Sequence, residues 1–444
     1  MTYQDFKKAV ISYAVEQQIA DYEIYYTESE ATSVETFQDE VSQYSTEVSL
    51  GLCFRCIVDG REGYASTENL TEEEAKSIVL RALENAKSIE SEEQSFIHKK
   101  GDTYAVLEES TLIMPTGAQL VDAALQFQKE MYLQDERVAD GTQVYMITGG
   151  EKYALCNSNG LDLVDEVSVI RCMGYAIVKD GDEMFNGSKD SRGNIHEMNF
   201  KEMAKEAVEE AISTIGAESV PSGKYNIVFS NKMMAALLAT FSSVFSAENA
   251  QKGMSLLAGK EGEKIGADIV TIIDDPRYKD SQIKRTFDGE GVATYAKNVV
   301  ENGTLTTLLH NLKTAASAGV KSTGNASKAS YAAVVGVSPF TFYIQPMEGA
   351  KEDLFELAGD GIYVTELAGL HAGANAITGE FSLAATGFLI ENGAKGAPVK
   401  NFTVSGNFFE LLKRIETLGG DLEFQNGKFG SPSALVREIA VAGK

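Results

Sequence analysis

The chain has 444 residues, 43% of them hydrophobic; at about 150 residues per domain this is material for two or three domains with full cores, which excludes a disordered chain. Lys and Arg number 39 against 65 Asp and Glu, a formal net charge of -26, so nucleic-acid phosphates and anionic lipid surfaces repel it. Four cysteines build no disulfide framework, no stretch reaches the roughly 20 apolar residues of a membrane span, and the N-terminus lacks a basic start and apolar block, which together predict a cytoplasmic protein.

Thr2, with Asp5 three residues on, opens a first helix that carries Phe6, Ala9, Val10 and Tyr13 on one face and runs to about Gln18. Near-alternation from Tyr22 to Val58 reads as a meander of strands. Within it Val48, Leu52, Phe54, Cys56 and Val58 form one buried side of a strand ending at Asp59-Gly60. Thr71 with Glu74 caps a second helix, whose Ala75, Ile78, Val79, Ala82, Leu83 and Ala86 make one broad apolar stripe. The same spacing recurs at Leu120, Ala123, Ala124, Phe127 and Met131, and again at Phe200, Met203, Ala204, Ala207, Val208, Ala211 and Ile212. Val144 to Val178 is antiparallel sheet turned at Cys156-Asn157-Ser158-Asn159-Gly160. Helices separated by several consecutive strands favour α+β over a doubly wound parallel sheet.

The breaker cluster Val220-Pro221-Ser222-Gly223 sets a boundary between an N-terminal α+β domain, 1–220, and a C-terminal β-rich domain, 221–444. The second domain opens with a strand, Tyr225 to Phe229, and a helix, Asn231 to Ser246, whose near absence of charge predicts burial on all sides. Beyond it the runs ADIVTIIDDP, TLTTLLHNL, FTFYIQPM, GIYVTEL and NFTVSGNFFELL read as strands of two packed sheets or a partly closed barrel, with few helices.

Catalytic constellations are missing. The four histidines, His98, His196, His310 and His371, share no helix, and His196-Glu197 has no second imidazole one turn on to complete a zinc-protease motif. Cys53 and Cys56 form a CxxC, yet positions three apart on a strand face opposite ways, so both read as small buried hydrophobes. GxSxG, GxxxxGK[ST] and GxGxxG are absent, and Asp274-Asp275-Pro276 reads as a turn after a strand.

Three segments read together resemble the TldD/TldE (PmbA) family, formerly called modulators of DNA gyrase. They are KGMSLLAGKEGEKIGADIVTIIDDP (Lys252 to Pro276), NLKTAASAGVKSTGNA (Asn311 to Ala326) and VTELAGLHAGANAITGEFSLAATGFLIENGAKGAPVKNFTVSGN (Val364 to Asn407). The turn CNSNG resembles the family's N-terminal-domain turn. The resemblance implies a two-subunit peptidase in which one subunit holds zinc through an HExxxH helix and a cysteine near the C-terminus. Here the counterparts of those ligands are Leu238, Ser243 and Asn426, which cannot coordinate Zn²⁺ as imidazole or thiolate do. The chain therefore resembles the TldE/PmbA-type partner: it is expected to bind no cofactor itself, with zinc in a TldD-like subunit, and to admit an extended peptide by strand-edge pairing. A stand-alone homodimeric peptide-binding or regulatory protein without catalysis is the alternative.

On this resemblance Asn375, Thr378, Gly379, Glu380 and Phe381 are expected to line the peptide cleft. Gly369, Gly373, Gly379 and Gly387 also read as turn and close-approach positions, and His371 as a structural histidine. Asn311, Thr314, Thr323, Gly324 and Asn325 bracket the second segment as helix caps or cleft contacts; Asn311, Thr323 and Asn325 are the cleft candidates. No catalytic residue and no metal ligand is assigned.

Overall fold

The computed structural model describes residues 1–90, 94–425 and 427–444. Its N-terminal half is one antiparallel sheet of β1 (Asp21–Phe37), β2 (Glu40–Val58), β3 (Arg61–Thr67), β4 (Gln143–Asn157), β5 (Asp162–Asp180) and β6 (Glu183–Arg192), in the order β3-β2-β1-β4-β5-β6. Four helices lie against it in two pairs: α1 (Tyr3–Glu16) with α2 (Glu72–Ser88), and α3 (Gly117–Tyr132) with α4 (Phe200–Ser213). Helices α1 and α2 start where their caps predict, and α3 starts at a cap that the sequence reading did not name. The hydroxyls of Thr2 and Thr71 accept from Asp5 N and Glu74 N, and Thr116 and Gln119 close a reciprocal capping box.

The helices' apolar stripes meet one face of the sheet in two cores. Phe6, Val10, Ile78 and Ala82 pack with Ile24, Phe54 and Cys56, and Phe127, Met131, Ala204 and Val208 with Val34, Val144, Met146 and Cys172. At both sheet edges a helix rides directly on a glycine. A Cβ on Gly63 would stand 2.0 Å from Ala82 O, and one on Gly187 2.1 Å from Ala207 O. The opposite face is covered too. Cys53, Tyr25, Leu155 and Leu161 point there and pack against Phe287 of the C-terminal half, so Cys53 and Cys56 occupy opposite faces as free buried thiols. The expected single buried side of β2 is thus corrected in two ways: both faces are buried near residue 54, while Val48, on the uncovered outer stretch, is 66% exposed.

The C-terminal half runs β7 (Gly223–Phe229), α5 (Asn231–Phe241), α6 (Ala247–Gln251), β8 (Ile272–Asp274), β9 (Lys297–Glu301), β10 (Thr304–Leu305) and α7 (Leu312–Ala318). Then come β11 (Ala326–Ser327), β12 (Gly336–Val337), β13 (Phe342–Ile344), α8 (Lys351–Ala358), β14 (Gly361–Ala368), β15 (Glu380–Glu391) and β16 (Ala394–Asn407). The last elements are α9 (Phe408–Arg414), β17 (Ile415–Leu418), β18 (Glu423–Gln425), β19 (Phe429–Ser431) and β20 (Ala434–Ala442). One sheet has the order β10-β9-β8-β13-β19-β18, another β16-β15-β14-β7-β20-β17. Because β16 pairs with both β15 and β20, five strands of the second sheet close on themselves. The partly closed barrel read from the sequence is therefore present, within an α+β fold.

Helix α5 is the core's axis. Met234, Leu237, Leu238 and Phe241 are fully enclosed, and Phe241 stacks on Phe408 at 4.6 Å. Three sequence expectations are corrected. The strand runs through 272, 304 and 342 shrink to two or three paired residues. FFELL is helix α9, because Asn407 caps it by accepting from Phe409 N and Glu410 N. His371 is exposed in a turn, not enclosed as a structural histidine. No described helix is long and apolar enough to cross a membrane.

Candidate functional site

The segment preceding β15 folds back on itself. Asn375 Oδ1 accepts from Ile377 N (2.9 Å) and Thr378 N (3.2 Å), an Asx turn that Gly379 completes at φ +78°. Asn407 Nδ2 donates to Thr378 O at 2.8 Å, tying the turn to the cap of α9. Asn375, Thr378 and Glu380 are exposed beside a groove floored by Ser382, Ser405 and Gly406. Phe381 turns the other way, 4% exposed against Phe241, and Gly379 is buried beside Phe409. Gly379 is thus a turn position, and the Phe381 ring belongs to the core although the residue still borders the groove.

Asn311 borders an open pocket with Glu248, Gln251 and Lys313, whereas Thr323 and Asn325 are enclosed, a second correction. Asn311 caps α7: Thr314 N donates to Asn311 Oδ1 (2.8 Å) and Asn311 N to Thr314 Oγ1 (3.1 Å). Thr323 and Asn325 belong to an enclosed polar network. Asp274, wholly buried at the end of β8, accepts from Lys297 Nζ (3.0 Å), Asn325 Nδ2 (2.7 Å) and Phe340 N (2.7 Å). Thr323 Oγ1 donates to Asn325 Oδ1 (2.8 Å) and accepts from His310 N (2.7 Å). Burial lowers the His310 pKa, which keeps this interior imidazole neutral. Asp275 makes the expected turn, its Oδ1 accepting from Arg277 N, but the sequence reading missed the role of Asp274.

It also missed the charged seam between the two halves. Arg55 of β2, 2% exposed, faces Glu23 (3.1 Å), Glu62 (2.8 Å) and Glu290 (3.6 Å). Glu290 Oε2 accepts from Leu312 N at 2.8 Å. Asp288, fully enclosed, accepts from Glu290 N, Val292 N and Ala326 N, each at 2.9 Å. Burial pushes the pKa of both carboxyls up; for Glu290 the Arg55 cation opposes this and the Asp288 charge adds to it. Nearby, Asp165 of β5 accepts from Thr286 N and Oγ1 and lies 3.4 Å from Arg285, whose guanidinium covers Tyr153 at 3.7 Å. These contacts fix the C-terminal half above the N-terminal sheet and leave a cleft between them, roofed by residues 278–284 and β18.

At the positions that the resemblance pairs with the zinc ligands, the side chains are neither imidazoles nor thiolates. Leu238 is fully enclosed in the apolar core and Ser243 offers an exposed hydroxyl, neither a ligand for Zn²⁺; Asn426 lies outside the described residues. Among the described residues no group of three or more His, Cys, Asp or Glu side chains could hold a metal.

Family models cover most of the chain: PmbA/TldA metallopeptidase domain 1 matches residues 22–86, the central domain 114–215 and the C-terminal domain 222–443. The chain belongs to the PmbA/TldD family. A Methanocaldococcus jannaschii protein without an assigned activity is 31% identical over 425 residues, covering 94% of this chain and 95% of its own length. The metalloprotease PmbA homolog of Haemophilus influenzae is 24% identical over 463 residues, with 99% and 96% covered. Among solved structures, a Thermotoga maritima protein described as a modulator of a DNA gyrase superposes with a TM-score of 0.91 at 32% identity, covering 99% of this chain and 100% of that one. TldE of Thermococcus kodakarensis shares the fold, with a TM-score of 0.90 at 22% identity over 99% and 100% of the two chains. The protein is thus a member of a metallopeptidase family.

Proposed function

We propose that this chain is the TldE/PmbA-like subunit of a two-subunit metallopeptidase that processes extended peptides, with zinc carried by a TldD-like partner. The observation that carries the reading is the filling of α5. A fully buried leucine and a serine stand where the resemblance requires imidazoles, so the chain lacks those ligands and the hydrolytic water must be activated elsewhere. Binding the peptide is the task left to this chain. Residues 40–51 of β2 pair with β1 on one side while β3 pairs only with Leu52–Val58, so the sheet has an edge able to add an extended strand. The interdomain cleft lies over the same sheet.

The test is elemental analysis and peptide cleavage for the chain alone and mixed with an HExxxH-bearing relative, with size-exclusion chromatography of the mixture. The expected result is no stoichiometric zinc and no cleavage alone, and co-elution with cleavage in the mixture. Zinc or cleavage in the isolated chain overturns the reading, and a homodimer indifferent to the relative replaces it with a stand-alone peptide-binding protein.

A further inference from the structure

The N-terminal sheet has a second open edge, beside the C-terminal half. Strand β5 runs from Asp162 to Asp180, but β6 pairs only with Arg171 to Asp180, so among the strands residues 162–170 pair with β4 alone. Backbone groups on a strand point alternately to one neighbour and to the other. Ile170 shows which residues face outward: its N–H donates to Gln282 Oε1 (3.3 Å), and its carbonyl accepts from Gln282 Nε2 (3.2 Å) and Gly193 N (3.2 Å). Ser168, Glu166 and Val164 therefore present their N–H and C=O groups to the same side, where no backbone hydrogen bond reaches them among the described residues.

This edge borders an open groove of about 430 Å³. Glu166, Val167 and Ser168 line it from the sheet, residues 107–112 line it from the segment leading into α3, and residues 279–282 and 284 line it from the C-terminal half. Gln282 takes the place that the next residue of a pairing strand would take, because its planar amide offers Ile170 one donor and one acceptor. Unpaired N–H and C=O groups along a strand are a template for another strand. The β5 stretch is also the sheltered one of the sheet's two open edges: Val167 is 7% exposed, against 66% for Val48 on the outer edge of β2.

Resting on the peptide-binding reading above, we propose that the extended peptide pairs with residues 164–168 of β5, antiparallel to it and in line with β6. Recognition is through the backbone, so proline is excluded from the paired positions. The side chains alternate. Peptide residues bonded to Glu166 and Ser168 share the face of those two side chains, beside the Lys152–Glu166 ion pair (2.6 Å), and suit hydroxyls. The residues between them lie beside Val167 and Val169 on the face turned to the C-terminal half, and suit β-branched apolar side chains. The rival occupant is residues 107–112 of the chain itself, closing on the same edge.

The test is hydrogen exchange with mass spectrometry on the full chain, with and without the heptapeptide Gly-Thr-Val-Thr-Val-Thr-Gly, and fluorescence polarisation of that peptide carrying a label. The expected result is that the outward amides of residues 163–169 exchange fast in the free chain and slow when the peptide saturates it, while residues 41–50 of β2 do not change. N-methylation of the threonines removes the N–H groups that face β5 and should weaken binding about tenfold or more, whereas N-methylation of the valines, whose N–H groups point away, should leave it within about twofold. Ser168→Pro deletes one outward N–H without touching the pairing with β4 and should weaken binding about threefold to tenfold. If Ser168→Pro lowers the melting temperature, the exchange and N-methyl results decide. Protection of residues 41–50 in place of 163–169 overturns this site and leaves the peptide-binding reading standing, whereas no binding of the peptide removes both. Slow exchange of residues 163–169 in the free chain assigns the edge to residues 107–112 and overturns the proposal, as does an equal loss from both methylated peptides.

Discussion

Replacing Glu290 by Gln should flatten a pH dependence of stability that the interdomain seam builds in. Arg55 is one cation facing three carboxylates, and Asp288 is buried beside the third. The surplus negative charge in an enclosed site is relieved by a proton, and Glu290 is where it resides, its pKa pushed up to about 8 by burial, with Asp288 adding and Arg55 opposing. The unfolded chain releases that proton near pH 4.3. Between these values the folded state holds one more proton than the unfolded state, so stability is fullest at low pH and falls as pH rises, by about 1.4 kcal/mol per unit. From pH 6 to pH 8 this amounts to about 2 kcal/mol. Glutamine keeps the shape and can still accept from Leu312 N, but it does not titrate. The assay is urea unfolding of both proteins across pH 6 to 8 at fixed ionic strength, with the general self-repulsion of a chain of net charge -26 common to both. A Glu290→Gln slope equal to that of the parent refutes the placement of the proton, and a parent stability that rises over this range refutes the sign.

Other perturbations follow from the same geometry. Lys297→Met removes the buried partner of Asp274 and should cost about 3–5 kcal/mol in urea unfolding, part of it recovered by adding Asp274→Asn; a cost below about 1 kcal/mol would show that Asn325 and Phe340 N suffice. Phe241→Ala empties the centre of the C-terminal core, where the ring is wholly buried on Phe408, and should cost about 3–5 kcal/mol by chemical denaturation; a small cost would mean the barrel collapses into the void. Glu380→Gln touches an exposed carboxyl, so stability should move by less than about 0.5 kcal/mol, while peptide affinity drops about two- to fivefold, as for one lost hydrogen bond. Unchanged affinity in a titration would remove the groove beside Asn375 from the peptide path.

What the sequence made legible was what is local. The four amphipathic helices of the N-terminal half announced themselves because the stripe, and for the first two the cap as well, sits within one window, and the stripes proved to be the residues buried in the two cores. The divergence of Cys53 and Cys56 followed from strand geometry alone. Where the C-terminal reading failed, local signals were opposed by something nearby. Phe408 to Leu412 is apolar enough for a strand, but Asn407 supplies two bonds to helix N–H groups and turns the segment into α9. Period-2 alternation at Phe381, Leu383 and Ala385, all buried, was visible and would have placed Phe381 in the core rather than in a cleft.

The charged seam was illegible for a different reason. Arg55 and Glu290 lie in different halves of the chain, and so do Asp165 and Arg285; no spacing rule joins residues whose meeting depends on how one domain lands on another. Each of these side chains, taken singly, reads as solvated surface. Folding reverses that reading because the second face of the N-terminal sheet is buried by the C-terminal half, and buried ionic groups must find partners there. The interdomain contact therefore sets the property discussed above: it forces a proton onto Glu290 where the two halves seal against each other. A substitution that loosens the seam, such as Arg55→Met, should for that reason weaken peptide binding at a cleft it does not touch, and binding that survived a measured loss of interdomain stability would show that the sheet alone holds the peptide.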